Sequence, residues 1–382
     1  LASNLYKKGY DVHVIMTKNA TEFITPMTFE TLTHNRVSVG TFDRNFQYDV
    51  NHISLAKRAD VFVLAPASAN CIAKIAHGIA DDMLTTTFLA ANCPKLIAPA
   101  MNTGMLNNPI TQRNIQQCRE FGMTIIESAS GYLACGDVGK GRLAEIEDIE
   151  DAIECLLIKD KPLAGIKVVV TAGPTQEDID PVRFITNHSS GKMGYALARA
   201  ARNLGAEVTL ITGPTSLRKP VFMTIIEVRT ADEMFQEVSG LKDQYDILIK
   251  SAAVSDYRAS FVNPHKLKKQ SQQTTLDLVM NKDILLAMGK EKKDSQVICG
   301  FAMETENLEE NATKKLLGKN ADLIVANQLN EEFAGFKGDT NVVTLIQRDG
   351  IVKLNKMSKE ALGYEIMEQL LKILIKKRGT IC

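Results

Sequence analysis

At 382 residues, with 45 Lys plus Arg against 45 Asp plus Glu, the chain is long enough for about two domains with cores of their own, and its balanced charge supplies no basic field for nucleic acid or an anionic membrane. Seven cysteines, at positions 71, 93, 118, 135, 155, 299 and 382, make an odd count without a CxxC pair, which argues against a disulfide framework or a zinc cluster and fits a reducing cytoplasm. No apolar run reaches spanning length and no signal peptide opens the chain, so a soluble protein is expected.

The opening LASNLYKKGYDVHVIMT reads as the end of a helix stopped by Gly9, then a strand from Asp11 to Met16. With no initiator Met, a further strand and its phosphate-facing turn are expected ahead of it, as in a doubly wound domain. Apolar runs VFVLAPA from Val61, KLIAPAM from Lys95 and MTIIE from Met123 alternate with helical segments, the pattern of a mostly parallel sheet covered on both faces. A helix from Glu145 to about Ile158 leads into KDKPLAG, residues 159–165, whose charges, proline and glycine read as a linker.

The pattern then restarts. KVVVTAGPT from Lys167, a helix from Lys192 to Leu204, AEVTLITGPT from Ala206 and DILIKSAAV from Asp246 form a Rossmann-type series. VICGFAMET and ADLIVANQ add two strands, and Ser358 to Lys377 forms an amphipathic helix. Pro264 to Gln273, basic and polar with little to bury, reads as a mobile flap. Domains at 1–158 and 166–382 follow.

In the first domain, small and polar residues gather in turns at predicted strand ends, where open α/β sheets bind ligands. In APASAN, Pro66 is expected to end a strand, Ser68 to cap the next helix and Asn70 to sit in its first turn, a natural seat for phosphate. In PAMNTGM, a buried Asn102 amide can hold a carboxylate. GYLACGDVGKGRL is glycine-rich and flexible, with Cys135 exposed as a candidate proton donor on a lid. His52 begins a helix and is a candidate acid, base or orienting group. Taken singly, a helix cap, a turn residue, an inert loop cysteine and a surface histidine are the commoner explanations; their joint occurrence changes the balance.

That set resembles the flavin-dependent cysteine decarboxylases over essentially all of Leu1 to Ile158. The resemblance implies a flavodoxin-like domain whose first strand is missing here, with Thr17, Ser68 and Asn70 contacting FMN. His52 would support oxidation and decarboxylation, Asn102 would hold the substrate carboxylate, and Cys135 would donate the proton during the final reduction. In that chemistry the flavin oxidises the substrate thiol to a thioaldehyde, so that the carbon losing carbon dioxide is stabilised as an enethiolate. The family's N-terminal glycine turn, part of its phosphate site, is absent from these residues. The flavin of this family sits between subunits of a trimer.

In the second domain, TAGPTQEDIDPVRFITNHSSGKMG lacks the Walker spacing. Even so, Asn187, Ser189, Ser190, Gly191 and Lys192 cluster before a helix, where free N–H groups favour an anion; a polar helix cap is the plain alternative. SAAVSDYR puts Asp256 beyond a strand, as a ribose, base or metal contact or a simple turn residue. HKLKK, from His265 to Lys269, is a solvated charge run or a set of ammonium groups for a triphosphate.

With GFAMETEN and a helix from Leu308 to Asn320, these segments resemble the phosphopantothenoylcysteine synthetases. The resemblance implies activation of the 4'-phosphopantothenate carboxyl as a cytidylyl anhydride, loss of pyrophosphate, and attack by the cysteine amine. Asn187 would bind the acyl cytidylate and Lys266 would act on the anhydride or pyrophosphate. Ser251, Ala252, Asp256, Lys282, Asp283, Ile284, Leu285, Phe301, Lys315 and Lys319 match CTP contacts, although KSAAV and NKDIL depart from the commoner wording around Lys250 and Lys282. A magnesium ion on the triphosphate and a dimer of this domain are also implied.

Both resemblances in this order point to the bifunctional decarboxylase–ligase family of coenzyme A biosynthesis, a cytoplasmic homo-oligomer acting on small molecules. A peptidyl-cysteine decarboxylase or flavin prenyltransferase would not need the second domain, and a noncatalytic flavin-binding regulator would not need His52, Asn102 and Cys135 together. The remaining alternative is a chain in which only the ligase works, because the glycine turn is absent.

Overall fold

Along three neighbouring strands buried residues alternate: Val168 and Val170 face one core while Val169 faces another, as do Ile247 and Ile249 against Leu248, and Val297 and Cys299 against Ile298. Successive side chains of a strand point to opposite faces, so this sheet is apolar on both sides and must be covered twice. The computed structural model describes residues 1–42, 51–133, 136–268, 275–304, 306–328 and 338–379. The chain divides into two compact units, Leu1–Lys159 and Asp160–Cys382.

The second unit is built on an eight-stranded sheet in the order Thr224–Glu227, Glu207–Thr212, Lys167–Ala172, Ile247–Lys250, Val297–Glu304, Leu323–Gln328, Thr344–Gln347, Gly350–Lys353. The first six strands run parallel and the last two antiparallel. Helices Lys192–Asn203 and Lys359–Arg378 cover one face; Ala231–Gly240, Ile284–Glu291 and Leu308–Gly318 cover the other. The first pair meets closely, because a Cβ on Gly363 would stand 3.0 Å from the Ala196 carbonyl oxygen. From Lys167–Ala172 the chain passes to one side for Glu207–Thr212 and to the other for Ile247–Lys250. The crevice beyond the carboxyl ends of Lys167–Ala172 and Ile247–Lys250 is therefore the topological switch point. The antiparallel pair at the edge is an addition to the expected Rossmann series, and its signal was the Asp349–Gly350 dipeptide between two apolar runs.

In the first unit, three parallel strands, Phe62–Ala67, Lys95–Pro99 and Thr124–Ile125, lie in that order. Leu64, Ile97 and Ile125 pack with Ile72, Phe88, Ile115 and Cys118 into one core, where Phe62 meets Phe88 edge-on at 5.0 Å. Two sequence expectations are corrected. The run Asp11–Met16 is not a strand but a single parallel bridge, Ile15 with Ser38: among the described residues its backbone ladder is limited to two bonds, Met16 N–H to the Ser38 carbonyl and Ser38 N–H to the Val14 carbonyl. Pro66 does not end its strand, which continues to Ala67; the register with the next strand shifts between Leu64 and Ala67, and such an irregularity accommodates a residue that has no N–H to donate.

Candidate active sites

In the first unit the Ala100 N–H donates to the Ala67 carbonyl at 3.0 Å, so the turns beginning at Ser68 and at Ala100 leave the sheet side by side. Ser68 caps helix Ala69–Ala76, accepting the Cys71 N–H at 3.3 Å, and Asn70 is exposed in its first turn. Asn102 is exposed, not buried as expected. An asparagine ahead of a helix turns toward that helix's free donors, and its Oδ1 accepts the Gly104 N–H at 2.8 Å. Thr17 likewise caps the short helix Lys18–Thr21, accepting the Ala20 N–H at 3.2 Å. His52 is half-buried on a separate helix, Asn51–Arg58, packed against Met83–Ala90.

The glycine-rich segment is also corrected, from a flexible loop to a hairpin. Ala129–Tyr132 pairs antiparallel with Val138–Arg142, and the second strand docks on the Asn102 turn. The Met101 N–H donates to the Gly141 carbonyl at 2.9 Å and the Thr103 hydroxyl to the Lys140 carbonyl at 2.8 Å. A Cβ on Gly141 would lie 2.2 Å from the Met101 carbonyl oxygen, and one on Gly139 2.6 Å from the Thr103 Oγ1. These glycines therefore serve close approach of two backbones. Cys135, in the connection between the two strands, lies outside the described residues. The uncharged donors around Ser68, Asn70 and Asn102, grouped at adjacent parallel strand ends and a helix start, fit a phosphorylated ring system that needs hydrogen bonds.

In the second unit the switch-point turns are laced together. The Ala253 N–H donates to the Gly173 carbonyl and the Thr175 N–H to the Ala253 carbonyl. Two fully buried threonines extend this: Thr171 Oγ1 accepts the Ala252 N–H at 3.2 Å and Thr175 Oγ1 the Ser255 N–H at 3.0 Å. Asn187, exposed, donates its amide to the Ala253 carbonyl at 3.0 Å. Next to it Gly191, at φ 80°, opens helix Lys192–Asn203; its Cβ position is 3.3 Å from Gly173, and that of Gly194 is 2.5 Å from the Ala172 Cβ. Only glycine admits this contact between turn, strand and helix, and the result is a helix N-terminus held at the mouth of the crevice.

Beside Ile247–Lys250 stands a charged group that sequence reading caught only as a departure in wording. Lys250, half-buried at the strand's carboxyl end, donates to the Ala252 carbonyl at 3.1 Å. Burial, helped by the nearby Lys315 charge, pushes its pKa down to about 8 against the pull of Asp283 and Asp256. Lys315 donates to the Phe301 carbonyl at 2.8 Å. Asp283 caps helix Ile284–Glu291 through the Leu286 N–H and pairs with Lys319 at 2.7 Å. Burial works to raise the Asp283 pKa, but the Lys319 and Leu286 bonds outweigh it and hold the carboxyl below its usual range. The visible signal for this cluster was a lysine closing the apolar run DILIK.

The remaining predicted contacts are dispersed. Ile284 and Leu285 are buried in the core, so only their backbone N–H groups are available to a ligand. Lys282 turns to Asp232, at 3.0 Å, and over the Phe235 ring. Ser251 is half-buried, Ala252 buried and Asp256 exposed. Lys266 is exposed on a segment whose base is anchored and not free as expected: the Asn263 N–H donates to Ile179 and the Leu267 N–H to Asp180; 269–273 lie outside the described residues. Among the described residues no group of three or more His, Cys, Asp or Glu is placed to hold a metal ion, and no helix is long and apolar enough to cross a membrane.

Residues 1–157 match the family described as Flavoprotein, and 163–374 match the DNA/pantothenate metabolism flavoprotein C-terminal domain. The chain is 48% identical over 374 residues to the coenzyme A biosynthesis bifunctional protein CoaBC of Bacillus subtilis, spanning 97% of this chain and 92% of that one. To the protein of the same description in Escherichia coli K12 it is 40% identical over 373 residues, with the same coverage, 97% and 92%. Among solved structures, the C-terminal domain of a coenzyme A biosynthesis bifunctional protein CoaBC is 42% identical and covers 57% of this chain and 100% of its own, with a TM-score of 0.49.

Proposed function

Because the chain belongs to the family of bifunctional coenzyme A biosynthesis proteins, with a decarboxylase domain and a ligase domain, we propose a particular division of chemistry between its units. The second unit joins cysteine to 4'-phosphopantothenate at the expense of CTP, through an acyl cytidylate. The first, with FMN, converts phosphopantothenoylcysteine to 4'-phosphopantetheine.

The observation that carries the ligase reading is the switch-point crevice, with the Gly191 helix N-terminus on one side and Lys250, Lys315 and Lys319 on the other. Free N–H groups and ammonium groups favour the negative charge of a triphosphate and of the pyrophosphate that leaves. Asn187 holds the acyl cytidylate near the Ala253 backbone, and Lys266 reaches the anhydride or the departing pyrophosphate from its anchored segment. Ser251, Ala252, Asp256, Phe301 and the backbone at Lys282, Asp283, Ile284 and Leu285 complete the nucleotide contacts. Magnesium would be carried by the triphosphate itself, whose charge it would offset.

In the first unit, Thr17, Ser68 and Asn70 hold FMN, which when bound supplies the two-electron oxidation that makes decarboxylation feasible. Asn102 orients the substrate carboxylate, His52 supports proton movement during oxidation and carbon dioxide loss, and Cys135 donates the last proton. Exposed apolar side chains in both units, Phe23 and Met27 in one, Phe261 and Met280 in the other, support a homo-oligomer; a trimer through the first unit and a dimer through the second are what the family resemblance implies. The thiols of Cys71, Cys93, Cys118 and Cys299 are free of disulfides, which supports a cytoplasmic enzyme.

The test is a product assay on the 382-residue chain with FMN, 4'-phosphopantothenate, cysteine, CTP and magnesium. CMP, pyrophosphate, carbon dioxide and 4'-phosphopantetheine are expected together. CMP without carbon dioxide would leave the ligase alone standing, and neither product would overturn both assignments.

A further inference from the structure

Within TQEDIDPVRFITN, Asp180 lies between antiparallel strands Gln176–Asp178 and Phe184–Thr186. Its side chain is fully out of water. The carboxylate accepts the Val182 N–H at 2.8 Å and the Arg183 N–H at 2.9 Å, bonds that a turn of this kind makes for itself. One other bond reaches much farther along the chain. Oδ2 accepts the Leu267 N–H at 3.1 Å as well as the Arg183 guanidinium, from Nε at 3.0 Å. Arg183 Nη2 in turn donates to the Leu267 carbonyl at 2.8 Å. Both backbone groups of Leu267 are thereby clamped, and the residue before it is Lys266, whose side chain is exposed. The Arg183 bond first, then the three backbone N–H groups, overcome burial and hold the Asp180 carboxyl well below the usual carboxylate range. The clamp is thus charged at any pH where a ligase would work.

We propose that Asp180 is a positioning residue of the ligase: with Arg183 it fixes Leu267, and so sets where the Lys266 ammonium stands over the reacting phosphates. This rests on the reading of Lys266 as the cation acting on the anhydride or pyrophosphate. The same turn feeds strand Phe184–Thr186, and the next residue is Asn187, anchored on Ala253. One carboxylate therefore ties together the two segments that carry the proposed ligase residues. An asparagine at 180 would present an NH2 group to donors, leaving the Leu267 N–H or the guanidinium without an acceptor.

The experiment is a double-mutant cycle on the full chain, with Asp180→Asn, Lys266→Ala and both together, following CMP release from CTP, 4'-phosphopantothenate and cysteine. Asp180→Asn alone is expected to lower ligase kcat by roughly 10- to 100-fold through misplacement of the cation. Added to Lys266→Ala it is expected to cost less than about twofold, because there is no ammonium left to position. Hydrogen exchange of the Leu267 amide should quicken in Asp180→Asn, and carbon dioxide release from supplied phosphopantothenoylcysteine should be unchanged. An equal loss in both backgrounds overturns the positioning role. A Lys266→Ala chain as fast as the parent overturns the reading of Lys266 on which it rests. Should Asp180→Asn not fold, Asp180→Ser, whose hydroxyl serves the turn without reaching Leu267, replaces it with the same expected outcomes.

Discussion

At the scale of single residues, the burial of Lys250 carries a cost in stability. Its pKa falls from 10.5 to about 8 on folding, so between those values the unfolded chain binds a proton that the folded chain does not, and stability rises with pH across that window. Below about pH 8 the buried ammonium is a full liability. Lys250→Met should therefore stabilise the second unit at pH 7 by about 1–2 kcal/mol, and urea midpoints of the two chains should converge between pH 8 and 10. The same substitution should raise KM for CTP by about 10-fold, since one charged hydrogen bond is lost; an unchanged KM would remove Lys250 from the nucleotide site. Asn187→Asp places a negative charge beside an anionic acyl cytidylate and should abolish CMP release while carbon dioxide release continues; loss of both would indicate misfolding instead. Cys135→Ser should allow decarboxylation yet stall before the final reduction, so that mass spectrometry finds the enethiol in place of 4'-phosphopantetheine.

At the scale of elements, strands and helices were legible where apolar periodicity and a capping residue agree: Ser68 and Ser358 each cap the helix that follows. What escaped depended on partners far along the chain. The run Asp11–Met16 has the composition of a strand, but strand status is conferred by neighbours, and among the described residues only Ser38 forms a bridge with it. The glycines of 131–141 looked like flexibility because sequence cannot show the Met101 backbone pressing against Gly141. Lys250, Lys315 and Asp283 lie on three different elements, and only the sheet order brings them to one end. The hairpin offers a direct test. Gly141→Ala, at φ 143° and with its Cβ 2.2 Å from a carbonyl oxygen, should lift the second strand off the Asn102 turn and cut carbon dioxide release by about 10-fold or more, the effect of a misplacement near 1 Å. Ligase turnover should be unaffected, and a decarboxylase of normal rate would show that the docked hairpin is not needed.

At the scale of the whole molecule, each unit has its own core: one apolar cluster around Leu64 and Ile97 in the first, one on each face of the large sheet in the second. Residues 160–382 expressed alone should fold cooperatively and release CMP with a KM for CTP within about threefold of the full chain. An insoluble or inactive fragment would mean that the first unit contributes to the ligase. The helix that opens at Gly191 has a further peculiarity. Its apolar face is closed by Lys359–Arg378, meeting it at Gly363, and these are the first and last helices of the second unit. On a ribosome, helix Lys192–Asn203 emerges long before its cover has been translated. The end of the switch-point crevice formed by this helix is thus finished only when nearly all of the unit has left the exit tunnel, and any nascent chain stalled before Lys359 carries a bare apolar face for chaperones to find.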